Sequence, residues 1–439
     1  MWQAQDVIVV SDLHLSADET GQGLFQADEA LEEFLTWIFK ERSNSVLVLN
    51  GDFLDYLFIE RPPDFRSAFD PNTLSQQTDS ILRRNAGVMR ALGKLACSSR
   101  HSVVIMGGNH DSELIFPVVQ ERIEAALSHS KRRPYVKWLV NGEALPLQVG
   151  GVKALIEHGN ILDDWNDVDH DKLRSAVSLA TRGLVSHHKY QPPPGSKLVT
   201  EHLSTLRKEY PWVELMKPER EAAFPLLSYL TTLRYKSGFA GALNLYARMV
   251  TKTKITALRE ELDPAVRFRK ETERELSTGS RIKRMIQEIS TSREAHKRAD
   301  LIKQLKKVAR RDGFFDVSTP EKNITRDLKF LLRGEANLLV HGHTHSAKAY
   351  RVGSGMYFNS GTWARMLKLP DDDADSQEWD QFLDDIEKKN YQAFERPTYV
   401  CISSGKNETS SATLHEWPKS ETLAAWVYAD NTWKSAKEG

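Results

Sequence analysis

The chain has 439 residues, 40% of them apolar, with 17 Phe, 12 Tyr and 10 Trp; this is enough for a sizeable core in one large domain, or in one domain with an insertion. Lys plus Arg and Asp plus Glu balance at 60 each, which excludes a strong long-range field and confines any preference for nucleic acid or anionic membrane to a local patch. The two cysteines, Cys97 and Cys401, exclude a disulfide framework or a thiolate zinc site and suit a reducing compartment.

The N-terminus lacks a basic region, and Val7–Val10 is too short for the apolar core of a signal sequence. No run approaches the roughly 18 apolar residues of a membrane span. A soluble, cytoplasmic protein is expected.

In chain order, Val7–Val10 reads as a short strand ending at Ser11-Asp12. Ala27–Phe39 carries Leu31, Phe34, Leu35 and Ile38 at helical spacing. Val46–Leu49 is a second buried strand ending at Asn50-Gly51-Asp52. Ser80–Cys97 reads as a helix, and Val103–Met106 as a third strand ending at Gly107-Gly108-Asn109. This is the βαβ pattern of a mainly parallel sheet flanked by helices. Three times polar residues follow at once where a strand runs out, and open α/β sheets place their ligands there. Ile115–His129 reads as a helix. Leu145–Val149 and Val152–Glu157 are strands joined by a Gly150-Gly151 hairpin turn, with His158 at the end of the second.

From about Asp163 to Gly334 the pattern turns helical: Asp171–Ser186, Lys197–Glu209, Pro218–Arg234, Phe239–Leu262 and Thr272–Arg311. Gln191–Gly195, with its three prolines, is a stiff break. Thr251–Arg311 holds 18 Lys/Arg against 9 Asp/Glu. Strands return at Asn337–His341, Ala347–Val352, Met356–Ser360, Thr398–Ser403 and Ala412–Trp417. Asp371–Glu387, with nine acidic residues and no basic one, reads as a solvated loop and helix edge. The economical organisation is a core in two parts, 1–162 and 335–439 with a C-terminal tail, interrupted by a helical insertion or cap at 163–334.

Five short motifs lie at or beside strand ends: Asp12-Leu13-His14, Gly51-Asp52-Phe53-Leu54-Asp55, Gly108-Asn109-His110-Asp111, Glu157-His158-Gly159-Asn160 and Gly342-His343-Thr344-His345. Carboxylate and amide oxygens mixed with imidazole nitrogens suit borderline divalent ions, Mn²⁺ first and Fe²⁺, Zn²⁺ or Co²⁺ as alternatives, rather than Ca²⁺ in an all-oxygen cage. In an extended segment residues i and i+2 face the same side, so Asp12 with His14 can grip one ion, as can His343 with His345. The glycines let the backbone turn beside a crowded centre. Asp52, with two oxygens, is the natural bridge between two ions. Each motif alone has a plain structural reading as a cap, a turn or a buried histidine; their order, each after a predicted strand, points to a dinuclear metal site.

With these motifs the chain resembles the calcineurin-like metallophosphoesterase superfamily over roughly residues 6–160 and 336–417. The resemblance implies an α/β fold, a four-layer αββα sandwich. It implies that Asp12, His14, Asp52 and His345 hold one ion and that Asp52, Asn109, His158 and His343 hold the other. It also implies that His110 is the catalytic histidine and Asp111 the acid that orients it. Two ions about 3.5–4 Å apart would polarise a phosphoryl oxygen and lower the pKa of a bridging water, whose hydroxide attacks phosphorus in line. Asp55 reads as a hydrogen-bond acceptor behind the ligands or a helix N-cap, His341 as a packing residue, and Asn359–Trp363 as the floor of the site or a tight turn.

Ser11–Ser16 and the Glu157-His158-Gly159 segment look closest to the UDP-2,3-diacylglucosamine hydrolase-like branch, which cleaves a pyrophosphate, but greater length and the helical insertion depart from it. The expected function is therefore hydrolysis of a phosphodiester or pyrophosphate bond. One alternative is a nuclease guided by the basic helices of 251–311, although aromatics for base stacking are scarce there. Another is a non-catalytic metal-binding scaffold. Native metals, oligomeric state and substrate are not legible.

Overall fold

The three apolar runs of the N-terminal part form strands buried on both faces, which is why they carry no polar alternation. The structure, a computed structural model, describes residues 2–18, 23–58, 70–130, 132–184, 190–198, 210–218, 222–223, 225–226, 229–230, 294–311, 313–321, 328, 331–332, 336–405, 409–419 and 421–436. Two compact units are formed, the first by Met1–Thr200, Gly313–Arg365 and Glu395–Gly439, the second by Glu201–Asp312 and Met366–Phe394. Among the described residues no helix is long and apolar enough to cross a membrane.

The strands of the first unit are β1 (Trp2–Gln3), β2 (Asp6–Val10), β3 (Ser45–Asn50), β4 (Ser102–Met106), β5 (Val136–Leu139), β6 (Leu145–Val149), β7 (Val152–Ile156), β8 (Leu338–His341), β9 (Lys348–Val352), β10 (Gly355–Asn359), β11 (Thr398–Ser404), β12 (Ser410–Glu416), β13 (Glu421–Ala429) and β14 (Thr432–Ser435). Its longer helices are α1 (Asp28–Glu41), α2 (Pro71–Arg84), α3 (Ala86–Ala96), α4 (Pro117–Leu127) and α5 (His170–Ala180). One sheet runs β14-β13-β12-β11-β2-β3-β4-β5, parallel from β2 to β5; the other runs β1-β6-β7-β8-β10-β9.

Period-two alternation sorts the side chains of β2–β4 into two cores. Val7, Val9, Val46, Val48, Val104 and Met106 pack against Leu147, Ala154, Ile156, Val340 and Phe358 of the other sheet. Ile8, Val10, Leu47, Leu49, Val103 and Ile105 face the opposite way, onto Phe34, Ile38, Leu92, Leu95 and Ile123 of the helices. Beyond the second sheet, Leu328 and Leu332 cover Leu339, Tyr350 and Tyr357. The order is helices, sheet, sheet, with Leu328 and Leu332 on the outer face of the second sheet, in keeping with the sandwich that the resemblance implied.

Several elements differ from expectation. The helix read over Ser80–Cys97 is two helices, α2 and α3, broken at Asn85, whose side chain donates to Ile81 O at 2.8 Å and Ser16 O at 2.9 Å. α2 starts nine residues earlier than read, capped by Asp70, which accepts from Thr73 N at 2.7 Å. The C-terminal tail holds the hairpin β13–β14, turned at Asp430-Asn431 with both residues left-handed (φ 50° and 58°).

In the second unit, the short strands Met216–Lys217 and Leu367–Lys368 pair in parallel. Helix Glu294–Arg311 and helix Ser376–Lys388 carry opposite charge. Arg298 bonds Asp380 and Asp384, each at 2.7 Å, while Arg310 bonds Asp372 at 2.7 Å. The acidic segment thus engages cations of the basic helix. Residues 199–209, most of Pro218–Arg234, the expected helix Phe239–Leu262 and the basic stretch up to residue 293 lie outside the described residues.

Candidate metal centre

The loops that leave β2, β3, β7 and β8 meet at the carboxyl ends of the strands and are stitched together by main-chain bonds. Asp12 N donates to Gly51 O at 3.2 Å, His14 N to Asp52 O at 2.9 Å, and Gly342 N to His158 O at 3.0 Å. Asp12, His14, Asp52, His343 and His345 all lie in the left-handed region, with φ between 50° and 68°. They are half of the ten non-glycine residues with positive φ among the described residues. Each such residue costs on the order of 1–3 kcal/mol and persists only where its surroundings hold it.

Three glycines make the approach possible. A Cβ on Gly51 would collide with the His158 imidazole, one on Gly108 with the Asp52 carboxylate, and one on Gly342 with Ser11 and, at 2.6 Å, with Asp12 Oδ2. Behind the loops, Asn359 Nδ2 donates to Gly342 O at 2.7 Å and to Thr344 Oγ1 at 3.0 Å, and Thr362 Oγ1 donates to Asp12 O at 2.9 Å. Asn359–Thr362 is therefore a floor that fixes two of the loops rather than a bare turn.

Among the described residues three groups form, and two of them hold expected ligands alone; the third is His14, Asp55 and His110. Asp12, His14 and His345 bring donor atoms within 4.8 Å of one another, as do Asp52, His158 and His343. In the first, His345 Nε2 lies 3.3 Å from Asp12 Oδ1 and 3.0 Å from His14 Nε2. In the second, His158 Nε2 lies 3.3 Å from Asp52 Oδ2. Asp52 Oδ2 is also 3.9 Å from His14 Nε2, so this carboxylate stands between the groups. His158 donates its Nδ1–H to Asn50 O at 2.8 Å, which leaves Nε2 turned inward. That Nε2 faces the Asp52 carboxylate, and Asn109 Oδ1 is buried with no hydrogen bond among the described residues. Buried polar atoms left so are costly unless something binds them, and the mixed nitrogen and oxygen donors fit a divalent transition ion.

The electrostatics agree. Burial raises the Asp12 carboxyl, but hydrogen bonding and charge from His345 outweigh it and hold the group at about 2. Burial likewise opposes ionisation of Asp52, yet His158, His110 and His14 keep it well below the usual range. Burial lowers the His158 imidazolium, and the Asp52 carboxylate overrides this, pushing it up to about 10.

His110 stands at the rim, its N–H donating to Asp52 Oδ1 at 2.8 Å. Asp111, expected as the acid that orients His110, follows it in the chain. Its carboxylate is fully buried and accepts from Gly108 N and Phe53 N, both at 2.7 Å, and from Leu54 N at 3.3 Å. It clamps two loops. Asp55 Oδ1 lies 3.4 Å from His110 Nδ1, and Asp55 Oδ2 lies 3.6 Å from His14 Nδ1. Burial disfavours the Asp55 anion, but the charges of His110 and His14 more than offset this and keep it ionised. His341 points away, onto Glu157 Oε1 at 2.9 Å and edge-on to Tyr357. One further carboxylate enters the site, Asp163, with Oδ2 3.2 Å from His343 Nε2; no motif spacing marks it.

Paired sheets with carboxylates and imidazoles gathered at the strand ends form a candidate metal centre on an α/β sandwich. Residues 6–217 match the family model described as calcineurin-like phosphoesterase. The match and the gathered ligand groups support a metal-dependent phosphoester hydrolase. No curated protein matches the chain.

Proposed function

We propose that the protein hydrolyses a phosphodiester or pyrophosphate bond with two divalent ions, Mn²⁺ first, one held by Asp12, His14, Asp52 and His345 and the other by Asp52, Asn109, His158 and His343. The observation that carries this reading is the placement of Asp52 between the two donor groups, 3.3 Å from His158 Nε2 and 3.9 Å from His14 Nε2. Bound ions would supply Lewis acidity to a phosphoryl oxygen and activate water for in-line attack.

The chain's own residues supply the rest. His110, partly exposed, is placed to stabilise the equatorial charge or to protonate the leaving oxygen. Asp55 accepts from Nδ1, so that Nε2 is the nitrogen offered to substrate. Asp111 acts at one remove by fixing the Gly108 and Phe53 loops that carry Asn109 and Asp52. The segment between the two parts of the core, read from its sequence as a helical cap, is the candidate selector of substrate. The two free thiols suit a reducing cytoplasm.

A panel of phosphomonoesters, cyclic nucleotides, nucleotide pyrophosphates and DNA, each with Mn²⁺, Fe²⁺, Zn²⁺ and Co²⁺, tests the reading. Turnover of a diester or pyrophosphate supports it. A metal-loaded protein inert on every substrate would return the scaffold alternative.

A further inference from the structure

We infer that Asp163 is a positioning residue that sets the tautomer of His343, an inference resting on the two-ion reading. His158 leaves β7, and Gly159, left-handed at φ 101°, turns the chain into a short 3₁₀ turn over Asn160–Leu162. Asp163 follows and returns to the site. Its Oδ1 accepts from Trp165 N at 3.0 Å, and its Oδ2 from Asn166 Nδ2 at 2.8 Å, so the carboxylate is held by its own loop. The loop is closed by Asn160 Nδ2 to Asn166 O at 3.0 Å and braced by Gly195 N to Trp165 O at 2.8 Å.

Oδ2 then meets His343 Nε2 at 3.2 Å. A carboxylate at that distance accepts, so the ring proton sits on Nε2 and the lone pair on Nδ1. The main chain of His343 is anchored separately, its N donating to Asp12 Oδ2 at 2.9 Å. His158 is fixed in the opposite sense, with Nδ1 donating to Asn50 O and Nε2 turned toward Asp52. The two imidazoles of the Asp52 group thus take opposite tautomers, each set by an acceptor behind it. His343 differs in having an anion there, which raises its basicity toward a cation. Asp163 also ties the His158 loop to the His343 loop, so both ligands keep one spacing.

The test uses the full chain, stripped with EDTA and titrated with Mn²⁺ by calorimetry and electron paramagnetic resonance, for wild type, Asp163→Asn and Asp163→Ala. Loss of such a partner lowers metal affinity about 10- to 100-fold. That loss is expected at one of the two ions in Asp163→Ala, with the other unchanged. Asp163→Asn retains an accepting oxygen and should lose less. At saturating Mn²⁺ the turnover of both variants should return toward wild type with KM unchanged. Two ions bound by Asp163→Ala at wild-type affinity would overturn the inference. So would an equal loss at both ions with a lowered melting temperature of the stripped protein, the mark of a merely structural role. A wild type that takes up fewer than two ions would instead overturn the two-ion reading beneath it.

Discussion

Replacing Gly51 by alanine should damage metal binding far more than its effect on the backbone alone predicts. Gly51 has φ 80°, and an added Cβ would stand 2.5 Å from His158 Cγ and 2.8 Å from its Cβ. Carbon atoms pack at about 3.5–4.0 Å, so the imidazole must retreat by about 1 Å and give up its bond to Asn50 O. Gly353 supplies the control, with φ 62° and nothing within 4 Å of its added Cβ. There alanine costs only the left-handed backbone, about 1–2 kcal/mol, or about 1–2 °C in melting temperature for each kcal/mol in a unit of this size. Gly51→Ala should show that loss plus a further one, and a Mn²⁺ affinity lowered at least about tenfold, in line with a displaced ligand shell. A displacement of about 1 Å near the chemistry also costs on the order of 100-fold in rate. Melting curves and Mn²⁺ calorimetry on both variants decide. Equal melting shifts with native Mn²⁺ binding in Gly51→Ala would refute the close packing of the Gly51 turn on His158.

Other outcomes follow from the same geometry. His110→Ala should keep its metals and lose about 100- to 10,000-fold in turnover, and Asp55→Asn should move the same way by less; steady-state kinetics with metal analysis checks both. Asp111→Asn strands a main-chain N–H and should cost about 1–3 kcal/mol of stability in denaturant melts, because its carboxylate holds the loops. In EDTA-treated protein the His158 imidazolium titrates at about 10, against about 6.5 in an unfolded chain. A raised folded value stabilises below the unfolded one, so melting temperature should be highest below pH 6.5 and fall as pH approaches 10; His158→Gln should flatten that fall. Burial pushes the Cys401 thiol up to about 12, so a disulfide reagent should reach Cys97 in the native protein and Cys401 only after denaturation.

The strand ends were legible because β2, β3 and β4 are buried on both faces and so appear as plain apolar runs followed at once by Asp12, Asp52 and Asn109. Residue type and position pointed to the groups that the fold gathers. What escaped was relational. Asp111 adjoins His110 in the chain and accepts from main-chain donors 53, 54 and 108, while Asp55 reaches the ring from the neighbouring loop. Asp163 meets His343 across 180 residues, a contact that spacing does not encode. The α2–α3 break rests on a single Asn85 side chain, and β13 is half-exposed, with no strong alternation to separate it from a tail.

The most direct test is a Mn²⁺ titration of metal-stripped protein read by hydrolysis of bis-p-nitrophenyl phosphate. A dinuclear phosphoesterase should stay inactive without metal and reach full turnover as the second ion per chain binds. Turnover saturating at one ion, or none at any occupancy, would contradict the account.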